Sequence, residues 1–159
     1  MLPVLEPVAK NYALGTYMLD RAVGDFLEAD WAVRDAAGHD PRWIAGHLAL
    51  YRQSGLAMLG LPRAEEPWMA CFARGKSAAD VPADLDMGKV LASFRAAGEA
   101  MAGGWDALTA EALAGPLGRT LPDGTSTLAD GLRFLAWHET YHLGQLGLFR
   151  KLAGKAGVA

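Results

Sequence analysis

Hydrophobic positions recur along this chain at helical spacing. Tyr12, Leu14, Tyr17, Met18, Val23, Phe26 and Leu27 follow one another in that rhythm, with Lys10, Asp20, Arg21, Asp25 and Glu28 between them. The pattern predicts a first helix from about Glu6 to Asp30, and Ala36-Ala37-Gly38-His39 interrupts it as a loop. Asp40-Pro41 then signals a helix start, with Asp as N-cap and Pro at the first helical position. This second helix is expected to end near Gly60-Leu61-Pro62. Residues 61 to 84, with Pro62, Pro67, Gly75 and Pro82, form a long connection. Such lengths are uncommon inside a compact domain unless the segment crosses the fold or covers a site. A third helix starts near Asp84 or Asp86 and runs through Val90, Leu91, Phe94 and Met101 to Gly103-Gly104. Residues 115 to 125 are rich in turn formers and suit a short hairpin. Thr127, with Asp130 three residues on, opens a fourth helix as a capping box does, and that helix runs to about Ala153-Gly154. The tail Lys155–Ala159 is expected to fray.

Four long amphipathic helices without a convincing strand pattern imply an all-α four-helix bundle. A length of 159 residues, 52% of them hydrophobic, suits a single domain over 1–159 with a sizeable core. The formal net charge is −3 and the basic residues do not cluster, so a nucleic-acid partner is not expected and a small molecule is. Cys71 is the only cysteine, which excludes an intrachain disulfide and fits a reducing compartment. The opening Met1-Leu2-Pro3-Val4-Leu5-Glu6 lacks the layout of a signal peptide, and no run approaches the roughly 20 apolar residues of a membrane span. The expectation is a cytoplasmic protein with no membrane partner.

Candidate chemistry lies on the second and fourth helices. At about 100° per residue, Gly131, Phe134, Leu135, Tyr141, His142, Gln145, Leu146 and Phe149 fall within about 80° of His138. Arg133, Thr140 and Lys151 fall on the far side. Both His138 and His142 therefore sit on the apolar stripe, one turn apart, where two imidazoles reach one ion. On the second helix, Trp43, Ile44, Leu50, Tyr51, Ser54 and Met58 surround His47, which also points inward. Burying three imidazoles without partners is costly, and a shared divalent metal removes the cost. Zinc, nickel, copper and iron all accept neutral imidazole. The bland alternative is a set of core histidines with ordinary partners. His39, in a loop, is expected at the surface.

The string His138-Glu139-Thr140-Tyr141-His142 also matches the zinc-protease pattern H-E-x-x-H, in which the Glu activates the attacking water. A protease needs a third ligand downstream, and none of the seventeen residues after His142 is His, Asp or Glu. The protease reading is set aside. Glu139 stays a catalytic candidate because it sits beside both histidines; a solvated Glu at the edge of the stripe is the alternative.

These residues resemble the DinB/YfiT-like superfamily of bacterial metal-binding bundles (unrelated to the DNA polymerase called DinB). The family's Trp-x-x-x-His element reads Trp43-Ile44-Ala45-Gly46-His47-Leu48 here. Its C-terminal His-x-x-x-His element, often followed by Leu-Gly-Gln, reads His138-Glu139-Thr140-Tyr141-His142-Leu143-Gly144-Gln145-Leu146. The segment Trp68–Gly75 falls where the family has its crossover. The resemblance covers nearly the whole chain. It implies an up-down-down-up bundle with a long crossover between helices 2 and 3, a three-histidine site holding zinc or nickel, and often a homodimer. Some relatives are transferases or isomerases that use low-molecular-weight bacterial thiols, and others are described as metal-dependent hydrolases. Arg42, Arg52 and Arg95 are the cations available for a charged thiol, and surface solubility explains each as well.

Three functions compete on these grounds. Three histidine ligands leave an open coordination position, the mark of a catalytic site, where a thiol or a water becomes a nucleophile. A thiol S-transferase acting on small electrophiles is the first reading and a hydrolase the second. Tyr51, Tyr141 and Gln145 are then candidates for orienting the bound molecule, and Glu139 for accepting a proton. In the third, the metal only ties the second helix to the fourth, as a non-catalytic module.

Overall fold

The computed structural model describes residues 1–158, and over these the protein is all-helical, without a strand. A 3-10 turn at Pro3–Leu5 leads into α1, Glu6–Val23. This helix stops short of the expected Asp30. Gly24 closes it, donating its N–H to the Asp20 carbonyl, and the chain turns back at Asp25. Phe26 then meets Trp31 edge-on at 5.1 Å, on a separate single turn, α2, Glu28–Trp31. The Asp30 carboxylate starts that turn by accepting the Leu27 N–H at 2.7 Å. The turn carries Phe26 and Trp31 into the core, where a straight helix would carry Phe26 past it.

The second long helix, α3, is Pro41–Met58. Asp40 caps it as expected, its Oδ1 accepting the Trp43 N–H at 2.8 Å, and Gly60, at φ +70°, adopts the left-handed turn just past its end. The long connection holds two 3-10 segments, Pro67–Phe72 and Ala78–Asp80, the first of which packs on α3. Asp86 caps α4, Met87–Gly104. A 3-10 turn at Trp105–Ala107 and a short helix, α5, Ala110–Ala114, follow; the hydrophobic pattern gave no warning of either. Residues 115–128 fold back on themselves as the expected hairpin does, but without a regular strand ladder: Pro116 and Thr127 form one antiparallel bridge, the Leu117 N–H donates to the Ser126 carbonyl at 2.7 Å and the Leu128 N–H to the Gly115 carbonyl at 2.9 Å, and the chain reverses in a turn at Gly124. Thr127 and Asp130 cap each other at the start of α6, Leu128–Leu152.

The tail does not fray through Val158. Gly154, at φ +75°, reverses the chain, and Arg150 Nε donates to the Ala156 carbonyl at 2.6 Å. Arg21 reaches the Val158 carbonyl at 3.2 Å, and the Val158 side chain packs against the core. The remainder of the expectation, Ala159, lies outside the described residues.

Among the long helices, α3 packs on α4 and α6, and α1 packs on α6 and α4. Their apolar stripes fill two clusters. One gathers Leu19 and Val23 of α1, Ile44 and Leu48 of α3, Val90 and Phe94 of α4, and Leu146 and Phe149 of α6. The other gathers Tyr12, Leu56, Met101, Leu132 and Leu135. Arg52 and Glu139, along α3 and α6, fall at the level between them. Among the described residues no helix is long and apolar enough to cross a membrane.

Candidate metal centre

Facing one another across the α3–α6 contact are the three histidines singled out from the sequence. His47 Nε2 lies 3.2 Å from His138 Nε2, which lies 3.1 Å from His142 Nε2. Three nitrogens bound tetrahedrally to one ion at about 2.0–2.1 Å would stand about 3.3–3.4 Å apart. These three could hold one metal ion with little movement.

Hydrogen bonding fixes which nitrogens carry lone pairs. His47 Nδ1 is 2.7 Å from the Phe72 carbonyl oxygen, which only accepts, so Nδ1 holds the proton and Nε2 is bare in the neutral ring. His142 Nδ1, 2.6 Å from Gln145 Oε1, is arranged the same way. His138 Nδ1 is buried without a partner, so the ring's polar contacts run through Nε2 alone. A single proton on His138 Nε2 satisfies one neighbouring lone pair and leaves the other facing it. One cation among the three satisfies every Nε2 lone pair, and the Nδ1 bonds of His47 and His142 hold those two rings in orientation.

Protonation is suppressed as well. Burial pushes His138 down to about 3, helped by the neighbouring His142 and His47 rings. Burial also takes His142 down to about 4 and lowers His47, in each case against a hydrogen bond that favours the charged ring. At neutral pH all three are uncharged, the form that ligates metal.

Aromatic rings wall the centre. Trp43 stacks on His47 at 4.5 Å, and Tyr51 lies 4.5 Å from the His47 ring and 4.4 Å from that of His138. Tyr51 is thus where the sequence placed it. Tyr141 is not inside the stripe: it is 54% exposed, its ring edge-on to His142 at 5.1 Å. With Trp137, 60% exposed, it forms a rim. Gln145, a candidate for orienting a bound molecule, instead holds His142, and its Nε2 donates to the Tyr141 hydroxyl at 3.4 Å. His39 is exposed and paired with Asp35, as a surface residue.

Glu139 is neither at the solvated edge nor turned to the histidines. It is buried, and both its oxygens accept from Arg52, at 2.7 and 2.8 Å. Burial pushes its carboxyl upward, against the pull of the guanidinium. The cations considered for a charged thiol are committed elsewhere: Arg52 to Glu139, Arg95 to Asp20 at 2.6 Å, Arg42 to the buried Asp40 at 3.6 Å. Sequence reasoning missed the Phe72 carbonyl and the Arg52–Glu139 pair. Phe72 falls in the crossover segment quoted above, where a backbone acceptor leaves no mark in residue types.

No curated protein matches the chain. The model of the DinB superfamily matches residues 13–146, a span that begins in α1, ends in α6 and contains His47, His138 and His142. A match over that much of the chain, together with three histidines that could hold a metal ion, establishes that the chain belongs to the DinB superfamily.

Proposed function

We propose that this protein is a metal-dependent enzyme with one zinc or nickel ion on His47, His138 and His142, acting on small electrophiles with a low-molecular-weight thiol. The observation that carries it is the convergence of three Nε2 atoms, two of them fixed as lone-pair donors by Phe72 and Gln145. His47, His138 and His142 would hold the ion as neutral ligands, and the ion, its charge undiminished, would favour a thiolate over the thiol at neutral pH. Of the chain's own residues, Tyr51 forms the inner wall and Tyr141 the exposed rim, the two positions from which a hydroxyl can orient a bound molecule. We assign Glu139 no proton transfer, since Arg52 occupies both its oxygens. In the reaction the thiol sulfur bonds to an electrophilic carbon as that carbon's bond to its leaving group breaks; the leaving group departs with the electron pair, and the thiol proton passes to solvent.

The same reading takes the chain as one cytoplasmic domain in an up-down-down-up bundle. Supporting that order, α1 and α6 enter the cluster of Tyr12 and Leu132 with their first halves and that of Leu19 and Leu146 with their second, while α3 and α4 do the reverse. It also takes the protein as a homodimer, argued below.

Elemental analysis is expected to give close to one zinc or nickel per chain. His138→Ala with His142→Ala should abolish retention, and His47→Ala should weaken it severely. Full metal content in the double variant would sink the proposal. Mass spectrometry of metal-loaded protein with bacterial thiols and electrophiles is expected to find thiol adducts. Cleavage of esters or amides without thiol, and no adduct, would make it a hydrolase instead.

A further inference from the structure

The most heavily constrained side chains in the molecule are not the histidines but the pair beside them. Arg52 has no exposed side-chain surface, and that of Glu139 is 7% exposed. Arg52 Nε and Nη2 grip the two Glu139 oxygens, Nη2 also donates to the Tyr12 carbonyl at 2.7 Å, and Nη1 donates to Thr16 Oγ1 at 2.7 Å. The Phe94 ring lies 3.8 Å beneath the guanidinium carbon. One pair therefore engages all four long helices.

Two glycines make room for it. A Cβ on Gly15 of α1 would stand 1.9 Å from Glu139 Oε1, and one on Gly98 of α4 would stand 2.2 Å from Arg52 Nη1. Neither has a positive φ, so turn geometry does not account for them. Glycine inside a helix destabilises it relative to alanine. Space for this ion pair is what the two positions gain.

Glu139 directly follows His138, and Arg52 lies five residues after His47. We propose that the Arg52–Glu139 pair is the positioning element of the metal centre, fixing α3 against α6 at the register that brings His47 to His138 and His142. The inference rests on those histidines forming one metal centre. Leucine, methionine and alanine contacts between helices tolerate sliding, whereas a planar two-bond pair does not. A slip of one turn moves a side chain about 5.4 Å, far more than a metal bond of about 2 Å allows. Buried ion pairs are poor sources of stability, since apolar residues of similar volume often replace them at no loss; fixing register is their best-attested use.

The test is Arg52→Met with Glu139→Met in the full chain, with zinc and cobalt(II) as the probes. Circular dichroism and thermal unfolding are expected to show a helical protein about as stable as the parent. Zinc affinity is expected to fall at least about tenfold, the range seen when outer-shell partners are lost. The visible absorption of bound cobalt should lose the intensity of a four-coordinate site. Arg52→Lys, which keeps the charge and loses the fork, should shift both readouts the same way by less, and it serves if the double variant fails to fold. A folded variant of either kind with the parent's zinc affinity and cobalt spectrum would overturn the positioning role and leave the metal centre intact. A parent protein that binds neither ion would overturn the metal centre, and the positioning role with it.

Discussion

At the residue scale, the centre works by keeping three imidazoles neutral without neutralising them by charge. Among the described residues no carboxylate bonds to the three histidine rings; Phe72 and Gln145 supply uncharged oxygens to the Nδ1 atoms of His47 and His142. The arrangement has a cost that shows in acid. An unfolded histidine takes up a proton near pH 6.5. In the folded metal-free protein His138 does so only near 3 and His142 near 4, with His47 also lowered, all chiefly by burial. Between those limits the unfolded chain binds more protons, so stability rises with pH and falls on acidification. Metal-free protein is expected to unfold at a nearly constant temperature above pH 7 and at steadily lower temperatures below about 6.5. The loss is up to about 1.4 kcal/mol per pH unit for each histidine that charges only on unfolding. His138→Gln removes one such group, and its metal-free form should show a shallower decline. Equal slopes in the two would show that these histidines do not set the acid limit.

At the element scale, what could be read from the sequence was what is local. Asp40-Pro41 and Thr127 with Asp130 mark helix starts because a cap bonds to amides two or three residues away. The histidine pair on α6 was legible for the same reason: one turn of helix brings the two rings together. The end of α1 was misread because Phe26 and Leu27 continue the helical rhythm, although the chain has turned at Gly24 so that Phe26 can meet Trp31. The tail was misread because its anchors are remote: Lys155 pairs with Asp30 at 3.2 Å, and Arg21 holds Val158. Neither sequence reading of Glu139, as a catalytic candidate beside the histidines or as a solvated edge residue, reaches its buried pairing, because the partner Arg52 is 87 positions away and leaves no local mark. Local signals can also be tested. Asp40 has no exposed surface; its Oδ1 caps α3, and its Oδ2 faces the Arg34 and Arg42 guanidiniums at 3.3 and 3.6 Å. Asp40→Ala should cost about 2–4 kcal/mol, for the lost cap and for the largely buried Arg42 cation left without its carboxylate, while Arg34, 48% exposed, stays solvated. In a chain this long that lowers the unfolding temperature by about 5–12 °C. Asp40→Asn keeps the capping oxygen and should recover part of the loss. Calorimetry finding Asp40→Ala as stable as the parent would mean that packing alone holds the α3 start.

At the scale of the whole molecule, α1 and α6 leave an apolar face uncovered. Leu14 and Tyr17 on α1 are 54% and 58% exposed, and Leu148 and Leu152 on α6 are 53% and 50% exposed. Between the helices runs a groove whose lining includes Leu14, Met18, Leu143, Gly144, Gly147 and Leu148. Ridge and groove on one face are the parts of a self-complementary interface, because a two-fold axis lets each copy's leucines enter the other's glycine-lined groove. The protein is therefore expected to sediment as a homodimer at micromolar concentration. Leu148→Lys removes about 2 kcal/mol of apolar burial from each copy, and the two-fold axis counts it twice. The dimer should weaken about a thousandfold and yield monomers at the same concentration. Helicity and zinc content should not change, because Leu148 is exposed in the single chain and the ligand histidines face α3. Val4, 67% exposed, on the 3-10 turn ahead of α1 and not among the residues lining the groove, supplies the control. Val4→Lys should leave the dimer intact. A parent chain that sediments only as a monomer at high micromolar concentration would remove the dimer, and dissociation by Val4→Lys rather than Leu148→Lys would move it to another face.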